Sequence, residues 1–288
     1  MIFWRILDNN LYPVKEVNKL GFEKSEGLRI PDDYLIQQEF TILRTAWGIG
    51  DWGIISAMPR LLKQKYPRCK VYLPSKDLIK KLFNIDTNVV YNIFKYNPYI
   101  DGFKDNIKGE IFHDHYRIYD KNNPNVPLLE QILKFWQFEE QEYQDSQPEI
   151  YWSEEEKKLG DTIIKEHVGN KEFGSLLISE RFGTQYGKYN ELSYNNDTKI
   201  ISNLLKKHNI PYFYWSHKPI SNFNFNFIKA LDMHNMDLRL QLYIKSKAKI
   251  NIGNQCGVNH CVVRYSNVYE VQRQSVLGHN FVKGENYL

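Results

Sequence analysis

Phe40 and the run Thr41–Pro59 read FTILRTAWGIGDWGIISAMP, and this stretch constrains the chain more than any other. It has the order of a buried strand, a glycine turn and a helix. Ile42, Leu43 and Thr45 favour strand, and Phe40 and Trp47 add apolar surface at either side. Gly48 and Gly50 interrupt the run; glycine tolerates a positive φ and lets a ligand approach the backbone closely. Asp51 follows at once, and Ile54, Ile55, Ala57 and Met58 continue as an apolar helix. A carboxylate on such a loop is well placed for function, because parallel sheets bind ligands beyond the carboxyl ends of their strands. The same residues also suit a tight turn with an ordinary helix cap, since Asp is a favoured N-cap.

A chain of 288 residues with 42% hydrophobic content can bury a sizeable core, and its length suits two domains. The net charge of +4 comes from basic residues interleaved with acidic ones, without the basic run that marks a nucleic-acid footprint. No stretch approaches the ~18 consecutive apolar residues of a transmembrane helix. The start, MIFWRILDNN, lacks a signal-peptide core, so a cytoplasmic protein is expected, with the inner face of the membrane as an alternative place. Cys69, Cys256 and Cys261 make no disulfide framework and are expected reduced and buried. Cys256 and Cys261 lack the second pair that a zinc site needs.

Residues 1–40 carry Pro13, Gly21, Gly27 and Pro31 among short apolar runs and read as an irregular extension packed on the first domain. Beyond Pro59 the helix runs on to Tyr66–Pro67. Cys69–Leu73 reads as a strand, Asp77–Phe83 as a short helix, Val89–Val90 as a third strand, Asn97–Asp101 as a turn, and Glu110–Phe112 as a further strand. Strands alternating with helices at this spacing predict βαβ units in a parallel sheet, and right-handed crossovers make it doubly wound. On the last strand His113 and His115 share a face and Asp114 does not, so a metal would need a ligand from elsewhere; no metal site is assigned. Residues 125–144 have helical period, with Leu129, Ile132, Leu133 and Trp136 on one side. The polar stretch ending at Gln147-Pro148-Glu149 is the expected boundary between a first domain, 41–149, and a second, 150–270, followed by a tail, 271–288.

The second half repeats the pattern. Ser153 and Glu156 have capping-box spacing and open a helix to about His167. Ser175–Ser179, Tyr212–Trp215 and Ala248–Ile252 read as strands, and Asn196–His208, Leu238–Ser246 and Val258–Val263 as helices. The glycine loop Gly253–Gly257 is the counterpart of the one at 48–51. A helix behind flexible glycines is an anion site through its free N–H groups and its dipole. Arg181 and Lys188, from the loop after a neighbouring strand, are the cations for a diphosphate pocket there; read singly, each is a solvated loop charge.

With these pieces in order, the chain resembles glycosyltransferase family 9, the heptosyltransferase-like enzymes of lipopolysaccharide assembly. The matching residues are GIGD at 48–51, the Pro59 to Tyr66-Pro67 helix end, NPYID at 97–101, the SEEE helix start and GNQCGVNH at 253–260, similar to the family's GNDSGxxH. Their order agrees over roughly residues 41–265. The resemblance implies an α/β protein of GT-B fold, two Rossmann-like doubly wound domains facing a central cleft. It implies an inverting, metal-independent transfer of a sugar from a nucleotide-diphosphate donor to a glycan or glycolipid acceptor, with no cofactor beyond the donor itself. Asp51 is then the general base, beside Gly48 and Gly50. Lys188 and Arg181 meet the leaving diphosphate with N–H groups around Gly257, and Gln255, Cys256 and His260 line the donor, His260 by contact or by bracing the loop.

The chain departs from the family at instructive places. Gln255 stands where the family has an acid, Cys256 where it has a small serine, and SERF at 179–182 replaces its phosphate loop; its Lys-x-Trp-Pro element has a weak echo near Lys188. These changes leave the sugar and the nucleotide open. Two other readings stand beside the transferase: a non-catalytic nucleotide- or carbohydrate-binding protein on the same fold, and a dinucleotide-dependent enzyme. The second lacks the third glycine of its fingerprint and an acid at the end of the next strand, where Leu73 runs into Pro74-Ser75.

Overall fold

Strands that are apolar on both faces must be covered on both faces, which parallel sheets achieve with crossover helices. The computed structural model describes residues 39–44, 47–106, 110–114, 126–135, 138–177, 191–215, 230–232, 236–254, 257–271 and 285–287. The chain divides into two compact units between Ser146 and Gln147. Of the extension expected over residues 1–40, only Glu39 and Phe40 are described, and they open the first strand.

In the first unit, β1 (Glu39–Arg44), β2 (Lys70–Pro74), β3 (Gly102–Lys104) and β4 (Glu110–Asp114) form a parallel sheet in the order β3-β2-β1-β4. Phe40 stands opposite Val71 on one side of β1 and Leu43 opposite His113 on the other. Phe40, Thr41, Ile42 and Leu43 are at most 1% exposed, so both faces of β1 are covered. The helix after the glycine turn comes in two pieces, α1 (Ile49–Gly53) and α2 (Met58–Lys65). Pro59 sits in the first turn of α2, where its missing N–H leaves no bond unmade.

Next come α3 (Lys76–Phe83), α4 (Val89–Phe94) and α5 (Leu128–Phe135). The expected strand at Val89–Val90 is instead the start of α4. Val89, Val90, Ile93 and Phe94 are buried at helical spacing, and Thr87 Oγ1 accepts from the Val89 N–H at 3.2 Å. Of the helix expected over 125–144, the described residues form α5 and, at Glu140–Glu142, a 3-10 turn. The NPYID segment fastens the sheet: Asp101 Oδ2 accepts from the Val71 N–H at 2.8 Å and from Lys63 Nζ at 2.7 Å, and Asn97 Oδ1 accepts from the Tyr99 N–H at 2.9 Å. β3 follows directly, a strand that the sequence pattern does not mark.

The second unit contains α6 (Glu154–Val168), β5 (Gly174–Leu177), α7 (Glu191–His208), β6 (Tyr212–Trp215), β7 (Ala230–Asp232), α8 (Leu238–Lys247), β8 (Ile250–Asn254), α9 (Gly257–His260), β9 (Asn267–Val271) and β10 (Glu285–Tyr287). Its six strands are parallel in the order β10-β9-β8-β5-β6-β7. Counted from β5, that is the 3-2-1-4-5-6 order of the Rossmann fold. The segment read as a tail supplies the edge strand β10.

Ser153 and Glu156 form the capping box: Ser153 Oγ accepts from the Glu156 N–H at 3.2 Å, and Glu156 Oε2 from the Ser153 N–H at 3.1 Å. The same carboxylate takes both Nε and Nη2 of buried Arg239, at 2.7 and 2.8 Å, so one side chain caps α6 and joins it to α8. Cys69 and Cys261 are free and buried, and burial pushes the Cys69 thiol up to about 11; Cys256 lies outside the described residues. Among the described residues no helix is long and apolar enough to cross a membrane.

The α6–α8 crossing depends on Gly160, where a Cβ would stand 2.2 Å from the Tyr243 ring. Alanine raises helix propensity by about 0.5–1 kcal/mol over glycine, but overpacking costs about 1–3 kcal/mol. The clash therefore wins, and Gly160→Ala is expected to lower the urea midpoint; an unchanged or raised midpoint would show that the crossing has slack.

Candidate functional site

Each sheet has one place where the order of its strands reverses. In the first unit the chain leaves β1 for β2 and β3 on one side and returns as β4 on the other. In the second it leaves β5 for β6 and β7, then crosses to β8, β9 and β10. Open α/β sheets bind ligands at the carboxyl ends of strands beside such a reversal. The two glycine loops leave the sheets there, one after β1 and one after β8.

In the first loop Gly48 caps α1 with extended backbone, φ −76° and ψ 155°. Its N–H donates to Asp51 Oδ2 at 2.8 Å, and a Cβ on Gly48 would lie 2.8 Å from that oxygen. Neither Gly48 nor Gly50 has a positive φ, so what a side chain at 48 would meet is the Asp51 carboxylate and not a backbone restriction. Asp51 is half-buried in the first turn of α1, at the third helical position and not at the N-cap. Gly50 lies within α1 and accepts from the Ile54 N–H at 3.0 Å. Trp52, wholly buried, anchors the turn edge-on against Phe94 at 6.2 Å.

The second loop is built differently from its expectation. Val258–Val263 was the expected helix; α9 spans only Gly257–His260 and gives way to turns. A single helical turn carries little of the dipole that the anion-site argument relied on. Gln255, Cys256, Arg181 and Lys188 lie outside the described residues, as does His115 of the histidine pair. Among the described residues no group of three or more His, Cys, Asp or Glu is placed to hold a metal ion. His260 is buried, with Nδ1 4.0 Å from Glu270 Oε2, beyond hydrogen-bond distance.

Beneath this loop lies a polar cluster that the sequence analysis did not single out. Lys245 on α8 is 0% exposed. Its Nζ donates to Ser175 Oγ on β5 at 2.8 Å, to Asn259 Oδ1 on α9 at 3.0 Å and to Asn251 Oδ1 on β8 at 3.3 Å. Three hydrogens meet three oxygens, the arrangement an ammonium requires when it leaves water. Asn251 Nδ2 donates in turn to the Lys245 carbonyl at 2.9 Å and to Ser266 Oγ at 2.8 Å, while Trp215 Nε1 donates to Ser175 Oγ at 2.8 Å. The signal in the sequence was Asn251 itself, a polar residue inside an otherwise apolar strand, which must find partners.

Gly253 holds the strands together at the same level. It pairs with Leu177, and a Cβ there would lie 2.0 Å from the Leu177 carbonyl oxygen and 3.1 Å from Asn259 Nδ2. A backbone oxygen cannot turn aside as a side chain can. Gly253→Ala is expected to force β5 and β8 apart, at about 3 kcal/mol or more, read as a large fall in the urea midpoint or as insoluble protein; a variant with wild-type stability would refute this packing.

No known family profile and no curated protein matches the sequence. Solved structures do match in shape. A glycosyltransferase family 9 protein from Veillonella parvula superimposes with a TM-score of 0.58 at 9% identity, over 87% of this chain and 85% of that one. ADP-heptose LPS heptosyltransferase II from E. coli gives a TM-score of 0.54 at 9% identity, over 87% of this chain and 90% of that one. Strand order, parallel pairing and the match over most of both chains agree that the chain has the α/β fold of these proteins, the GT-B fold with two Rossmann-like units.

Proposed function

We propose that the chain is an inverting, metal-independent glycosyltransferase that moves a sugar from a nucleotide-diphosphate donor to a hydroxyl of a glycan or glycolipid acceptor. One observation carries the reading: both glycine loops leave a parallel sheet at the point where its strand order reverses. The fold shared with a heptosyltransferase supports it.

In this reading Asp51 removes the proton from the acceptor hydroxyl. The acceptor oxygen bonds to the anomeric carbon on the face opposite the diphosphate. The carbon–oxygen bond to the diphosphate breaks, and its electron pair leaves with the nucleoside diphosphate, so the configuration inverts. General-base assistance of this kind is worth about 10²–10⁴-fold. The Gly48 N–H, 2.8 Å from Oδ2, holds the carboxylate in one orientation. Arg181 and Lys188, with N–H groups near Gly257, meet the charge of the departing diphosphate in place of a metal. Gln255, Cys256 and His260 line the donor. Gln255, where the resembling family has an acid, leaves the sugar open.

A second reading has an observation of its own. Asp51 Oδ2 already accepts from Gly48, as the acid of a purely structural turn would. A non-catalytic nucleotide- or carbohydrate-binding protein would need nothing more of Asp51.

A melting panel with ADP, GDP, UDP and CDP, with and without EDTA, comes first. A ligand at 100 times its Kd stabilises a protein by about 2.7 kcal/mol. One diphosphate is expected to raise Tm equally in EDTA, and absence of any shift would sink the donor site. Asp51→Asn then separates the readings, because an amide oxygen can still accept from Gly48. The variant is expected to keep its fold and its nucleotide affinity while release of nucleoside diphosphate from the matching nucleotide sugar falls at least about 10²-fold. Release that is unchanged, or undetectable in the wild type, favours the binding protein.

A further inference from the structure

A diphosphate bound at the second loop needs positive potential, and α9, with four residues, is too short to supply it from a dipole. Lys245 on α8 is a described source joined to α9. Lys245 Nζ is wholly buried and 3.0 Å from Asn259 Oδ1. An ammonium only donates, so the amide oxygen of Asn259 faces it and the NH₂ end points the other way. That end stands 3.1 Å from the Cβ position of Gly253, at the carboxyl end of β8. Asn259 is itself 0% exposed, and among the described residues its Nδ2 has no hydrogen-bond partner. The amide therefore has its oxygen on the cation and its NH₂ end over the carboxyl end of β8.

Buried charges act over longer distances than exposed ones, because protein and not water lies between them and their target. Among the described residues an opposing charge lies on the neighbouring strand: Glu270 pairs in register with Gly253, and its Oε2 lies 4.0 Å from His260 Nδ1. His260 adjoins Asn259 on α9, so the carboxylate and the ammonium lie beside two successive residues of the turn.

We propose that Lys245 is a positioning residue of the donor site: its buried ammonium orients Asn259 and supplies the positive field that favours the diphosphate of a nucleotide sugar. The inference rests on reading the second unit as the donor site. It separates two parts of the ligand. The diphosphate feels the field, and the nucleoside does not.

The experiment uses the full chain, the nucleoside diphosphate among ADP, GDP, UDP and CDP that shifts the wild type, and its parent nucleoside. Affinities are read by calorimetry and stability by urea unfolding. Lys245→Met removes the charge but risks the fold, so Asn259→Asp is the decisive variant. It keeps, and strengthens, the contact to Nζ while its carboxylate cancels the field and removes the Nδ2 donor. Asn259→Asp is expected to keep at least the wild-type urea midpoint, to bind the diphosphate at least about tenfold more weakly, and to bind the nucleoside within about twofold of the wild type. A buried brace alone would leave the diphosphate affinity unchanged, and that result overturns the inference while the proposed function stands. An equal loss for diphosphate and nucleoside also overturns it, as a general disturbance of the site. Absence of diphosphate binding in the wild type overturns the proposed function and this inference together.

Discussion

The buried ammonium of Lys245 is the interaction on which the second unit depends most. Taking an ammonium out of water costs several kcal/mol even after relaxation. The fold meets that cost by surrounding Nζ with oxygens from β5, β8 and α9. Two of the three partners are fixed in turn: Ser175 by the Trp215 indole, Asn251 by the Lys245 carbonyl and Ser266. One helix residue therefore sets the position of two strands, of the turn after β8 and of the start of β9. Removing any one oxygen would leave a buried donor unmatched, which is why such networks act as a unit.

Close backbone approach is the second constraint, and it explains glycines that a reading by handedness misassigns. Gly48 has an ordinary φ, yet its missing Cβ lets the Asp51 carboxylate close over the turn. Gly253 lets β8 lie against the Leu177 carbonyl, and Gly160 lets α6 cross α8 at Tyr243. At Gly160 and Gly253 the Cβ would meet a distant part of the chain, so those glycines record a tertiary contact, whereas at Gly48 it would meet the turn's own carboxylate. The GIGD turn and the GNQCG loop resemble each other in sequence and in position at a strand-order reversal. They differ in what holds them: the first a local capping hydrogen bond, the second a long-range buried network.

The candidate site was legible in part. Asp51, Gly48 and Gly50 could be singled out because a strand, two glycines and an acid follow one another in ten residues. His260 could be found by its place in the GNQCGVNH run. Lys245 and Glu270 could not, because a lysine in a helix and a glutamate in a strand are ordinary until burial is known. Burial is a property of the packed chain: Lys245 and Glu270 are both 0% exposed, whereas nearby Lys247 and Lys249 belong to the surface. NPYID shows the converse. It stands out in the sequence, and its acid ties a loop to β2 and α2.

The sequence by itself determined the class of fold. Apolar strands alternating with helices admit few solutions other than parallel sheets, and the Ser153–Glu156 capping box and the strand Tyr212–Trp215 are local patterns whose outcome neighbours do not change. Tertiary structure decided what local pattern leaves degenerate. Val89–Val90 suits a strand by propensity, and packing made it a helix by burying Ile93 and Phe94 on the same side. Gly102–Lys104 carries no strand signal, and it became one because β2 offered an edge beside it. Propensities differ by fractions of a kcal/mol per residue, whereas burying one large side chain is worth about 1.5–3 kcal/mol. Where the two disagree, packing wins, and only the folded chain reveals which residues it has buried together.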